Sequence, residues 1–107
     1  MSNFITLEEA KALRRNFRNN RQKLPGTADA IPDSETFKRE HIEQLLKQPG
    51  CTSLRIHLGM DDRHNLKLMI IASNEKDEDI LEDKNASVLE DGLRCPPNCP
   101  PPSDLDN

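Results

Sequence analysis

The chain predicts an α+β fold: two N-terminal helices packed on a small antiparallel sheet of two to three strands, followed by an irregular Cys/Pro-rich tail. Three observations carry this reading. Apolar residues recur at three- and four-residue spacing in two stretches before residue 48, and strict alternation begins at Leu54-Arg55-Ile56-His57-Leu58. The run Cys95-Pro96-Pro97-Asn98-Cys99-Pro100-Pro101-Pro102 then gathers two of the three cysteines and five of the eight prolines. Proline fixes φ and lacks an amide donor, so this run is neither helix nor strand, and its role rests on side-chain chemistry or on an extended shape.

Thr6-Leu7-Glu8-Glu9 is a capping box, with Thr6 accepting from the Glu9 amide and two acids in the first turn. Ala10, Leu13, Phe17 and Leu24 share one sector at 100° per residue, which predicts a helix to about residue 23, stopped at Leu24-Pro25-Gly26. Residues 25–33 read as a connector. Asp33 or Ser34 caps a second helix in this reading; Phe37, His41/Ile42, Leu45 and Leu46 form its apolar face and Pro49-Gly50 ends it. The alternating segment 54–58 is a strand closed by Gly59, a loop runs from Gly59 to Asn65, and residues 66–73 form the second and more central strand. Ile80-Leu81-Glu82-Asp83 recurs loosely as Val88-Leu89-Glu90-Asp91, which reads as a short added hairpin around Lys84-Asn85 or as two chance matches, and Val88-Leu89 is the place for a third strand if the sheet has one.

At 107 residues there is room for one modest core, and the expected division is a domain over 1–92 and a tail over 93–107. With no Trp or Tyr and three Phe, that core is built from Leu and Ile. The longest purely apolar run, residues 68–72, falls far short of the roughly 20 residues that span a bilayer, so no membrane partner is expected. Met1-Ser2-Asn3-Phe4 has neither a basic nor an apolar signal region, and the expected compartment is the cytoplasm, where thiols stay reduced. The net charge of −4 hides an asymmetry: residues 1–48 hold nine Lys/Arg against seven Asp/Glu, and residues 49–107 hold six against twelve.

Four residues are candidate metal ligands. Zinc takes four tetrahedral N/S donors, and Cys51, Cys95 and Cys99 with His57, or with His41 in its place, supply that number, making zinc the cofactor to consider. The spacing is less apt, because Pro96-Pro97 stands where a zinc knuckle has turn residues and no second close ligand pair exists. The alternatives are a Cys95–Cys99 disulfide, disfavoured in a reducing compartment, and plain thiols. Cys51 follows a helix C-terminus, where the helix field opposes a thiolate, so cysteine catalysis is not expected. Lys11, Arg14, Arg15, Arg18 and Arg21 make a basic stripe beside the first helix's apolar sector. Without interleaved aromatics, and at a pI of about 5.3, that stripe suits a solvated face or the chain's own acids better than nucleic acid. Phosphate-binding glycine loops and hydrolase or metalloprotease motifs are absent from the sequence.

Gln48-Pro49-Gly50-Cys51, Arg55-Ile56-His57-Leu58-Gly59 and Cys95-Pro96-Pro97-Asn98-Cys99 resemble a group of small uncharacterised bacterial proteins. That group shares a helix ending in Gln-Pro-Gly-Cys, an Arg-Ile strand and a terminal Cys-Pro-Pro-x-Cys. The resemblance covers roughly residues 36 to 99 and implies no activity. The leading expectation is a non-enzymatic interaction module whose sheet edge or Pro-rich tail engages a protein partner or a second copy of the chain. The first alternative is a small zinc-binding protein using Cys51, Cys95, Cys99 and a histidine. The second is a folded leader whose C-terminal Cys/Pro segment is a substrate for modification.

Overall fold

The structure is a computed structural model, and it describes residues 3–24, 30–90 and 92–106. The fold is α+β, and the described residues form two α-helices and two antiparallel sheets, of two and three strands. The chain falls into two compact units: Met1–Ala28 with Pro100–Asn107, and Asp29–Cys99. Residues 93–99 of the tail expected to start at 93 therefore belong to the second unit, and the rest to the first.

In the first unit, α1 (Leu7–Asn20) starts as its capping box requires: Thr6 Oγ1 accepts from the Glu9 amide at 3.1 Å and lies 3.1 Å from the Glu9 carboxylate. A short 3-10 turn, Arg21–Lys23, finishes it. Leu24 closes that turn, its amide donating to the Arg21 carbonyl at 3.1 Å; Pro25-Gly26 of the expected stop, and residues 25–29 of the 25–33 connector, lie outside the described residues. Asp106, in a second 3-10 turn (Asp104–Asp106), pairs with Arg14 and Arg18 at 3.3 and 3.0 Å. Part of the basic stripe thus meets the chain's own acid. The Ser103 amide, ahead of the two arginines, holds the Asp106 carboxyl below the usual carboxylate range.

The second unit holds the sheets. β1 (Ser34–Thr36) pairs with β5 (Leu93–Cys95), while β2 (Ser53–Met60), β3 (Leu66–Ser73) and β4 (Val88–Leu89) form the larger sheet in the order β2-β3-β4. β3 is central, as its sequence implies. The third strand exists and pairs Ile70 with Leu89. The second helix differs at its start: α2 (Arg39–Leu46) is capped at Lys38, because residues 34–36 are drawn into the small sheet instead. Asp33 does not cap it; its amide donates to the Cys95 carbonyl at 2.8 Å and extends the β1–β5 ladder. Gly50, at φ +84°, then turns the chain out of the helix into β2.

α2 packs against β2, β3 and β4 and buries Leu45 to 3% exposure, beside Ile70, Ile71, Ala72 and Ile80 of the core. The two sheets are joined by Arg94, whose guanidinium donates to the Leu66 carbonyl and faces Glu35 at 3.4 Å, and by the Leu66 amide, which donates to the Ala30 carbonyl at 2.7 Å. No helix of the described residues is long and apolar enough to cross a membrane.

Candidate functional site

β2 is an edge strand of the three-stranded sheet, and its register fixes what each of its residues presents. Ser53 faces Ser73, and the pairing runs without interruption to Met60 opposite Leu66. At the hairpin end the Asp61 amide donates to the Asn65 carbonyl at 3.0 Å, making 61 and 65 a hydrogen-bonded pair. Such pairs alternate along an antiparallel ladder, so Arg55, His57 and Gly59 turn their main-chain groups toward β3. Leu54, Ile56, Leu58 and Met60 turn theirs outward, and among the described residues no strand pairs with that outer edge.

The side chains of those four residues share one face of the sheet with Leu66, Leu68, Ile70 and Ala72. At the β3 end this apolar surface is buried, with Ile70 6% and Ala72 0% exposed. At β2 the surface is open, with Ile56 59%, Leu58 69% and Met60 63% exposed. The strand has no proline, and no charged side chain lies on this face, so it lacks the usual features that discourage edge pairing.

The opposite face of β2 is polar. Asp79 accepts from Arg55 Nη1 at 2.6 Å and lies 3.0 Å from His57 Nε2, and Arg55 also binds Asp77. Both acids belong to the turn after β3, where Asn74 Oδ1 accepts from the amides of Lys76 (3.0 Å) and Glu78 (2.9 Å) and Asp77 takes φ +66°. The β2–β3 turn repeats this construction: Asp61 Oδ1 accepts from Arg63 and Asn65, each at 2.9 Å, with His64 at φ +66°. These contacts, the Asn65 amide first, hold the Asp61 carboxyl below the usual range, so it is ionised at neutral pH.

Among the described residues the candidate metal ligands do not gather into a metal-holding group. Cys95 and Cys99 are joined in a disulfide, with Cys95 buried in β5, and the Asn98 amide donates to the Arg94 carbonyl within the turn. The disulfide that a reducing compartment disfavours is the arrangement found. Cys51 is a free thiol whose Sγ lies 3.5 Å from the Ser53 carbonyl, beside an open hollow of about 410 Å³ lined by Thr52, Asn74 and Lys76. His57 is engaged with Asp79, and among the described residues no three His, Cys, Asp or Glu side chains gather as a metal-holding group. The Arg55–His57–Asp79 cluster escaped sequence reasoning because Asp79 lies 24 residues from Arg55; the only signal was two polar residues on the alternate positions of an amphipathic strand.

Comparison of the chain with known protein families, with curated proteins and with solved structures finds no match.

Proposed function

We propose that the chain is a non-enzymatic interaction module that engages a protein through the outer edge of β2. The observation that carries this reading is the coincidence, on Leu54, Ile56, Leu58 and Met60, of outward main-chain groups with a mostly exposed apolar face. An added strand would satisfy the main-chain donors and acceptors and remove the apolar side chains from water together, which is the physics of β-augmentation. The Arg55–Asp79–His57 cluster on the other face pins the strand to the turn after β3, so little order need be gained on docking. The edge carries this reading rather than the tail, because two of the tail's prolines lie inside the turn closed by the Cys95–Cys99 bond.

A photoreactive residue in place of Leu58, in the full chain expressed in cells, tests the proposal. It is expected to form discrete protein adducts, whereas the same residue at exposed Glu75 forms none. Equal labelling from both positions, or none from position 58, would sink the reading.

A further inference from the structure

We infer that the protein seated on the β2 edge is a second copy of this chain, paired antiparallel about a two-fold axis at Leu58. The inference rests on the edge-docking reading above and names its partner.

The pattern along β2 is self-complementary about that point. The three exposed apolar residues, Ile56, Leu58 and Met60, map onto themselves: Leu58 meets Leu58 of the second copy, and Ile56 meets its Met60. All three turn their main-chain groups outward, so every such pair falls on a hydrogen-bonded position of the new ladder. Identical patches meeting about a two-fold axis are the commonest form of homo-oligomer contact.

Charge selects the direction and the register. The same axis places Arg55 directly opposite Asp61 of the second copy, a basic residue against an ionised acid, and this contact occurs twice. Arg55 gives one Nη1–H to Asp79 and its Nη2 group to Asp77, which leaves Nε–H and the second Nη1–H as donors for the new contact, and among the described residues Asp61 Oδ2 has only Asn65 Nδ2 at 3.3 Å on it. His57 falls opposite Gly59, where no side chain competes for space. A parallel pairing in register would set Arg55 against Arg55, and shifting the antiparallel axis to His57 would move Arg55 from Asp61 to Gly59. The joined sheets would have six strands, with the apolar residues of both β2 strands on one face.

The test is sedimentation equilibrium of the full chain, together with oxidative cross-linking in a Cys51→Ser background. Expected are a concentration-dependent monomer–dimer equilibrium, about a hundredfold weaker in Leu58→Lys, where two cations meet on the axis. Leu58→Cys should give a covalent dimer, Ile56→Cys should give far less, and Ile56→Cys mixed with Met60→Cys should restore it. Position 58 is exposed, so these variants are expected to keep the native circular dichroism spectrum. A monomer at every concentration, with photo-adducts at position 58 to a different protein, would overturn the second copy and leave edge docking standing. No association and no adducts would overturn both, and self-cross-linking strongest at position 56 would overturn the register.

Discussion

Arg94 ties the small sheet to the large one through the Leu66 carbonyl and faces Glu35, and two residues near it, Glu35 and Gly92, make predictions. The Glu35 side chain is 2% exposed, and burial raises its carboxyl above the ordinary value of 4.5 against the opposing pull of Arg94 and Lys67. A carboxyl whose folded value is raised binds more protons in the folded state. Its contribution to stability is therefore complete below 4.5 and lost as pH rises through the folded value. Urea midpoints followed upward from pH 4.5 should fall in the native chain relative to Glu35→Gln; parallel curves would refute this. Gly92 is the second case. A Cβ there would stand 2.8 Å from both the Glu35 carboxylate and the Phe37 ring, so Gly92→Ala should cost about 1–3 kcal/mol by overpacking, read as a lower urea midpoint at unchanged slope.

At the scale of elements, the local signals were legible and the long-range ones were not. Thr6-Leu7-Glu8-Glu9 announced α1, and the alternation of Leu54 to Leu58 announced β2, because each pattern sits within one turn or one strand. β1 was not legible. Ser34-Glu35-Thr36 is short and polar, and its partner β5 lies 59 residues away at the Glu35–Arg94 pair, so nothing nearby marked it as a strand rather than a helix start. The same distance problem hid the partners of Arg55 and His57. The edge status of β2, by contrast, follows from its clean alternation beside a β3 that is apolar on both faces. α2 carries the element-scale prediction: Leu45 is its one buried residue, so Leu45→Ala should cost about 2–4 kcal/mol in urea denaturation, whereas Leu46→Ala, half-exposed on the same helix, should cost well under half of that.

For the whole molecule, the central claim is that the open edge of β2 is an association surface and not merely unprotected sheet. Amide hydrogen exchange resolved by residue tests it most directly, because the ladder sorts β2 into two sets. Arg55, His57 and Gly59 donate to β3 and should be protected at all concentrations; Ile56, Leu58 and Met60 point outward and should gain protection as the chain is concentrated. Leu58→Lys should abolish that gain and leave the inward set unchanged. Outward amides that exchange at the same fast rate in dilute and concentrated solution, with the inward set protected, would contradict the account.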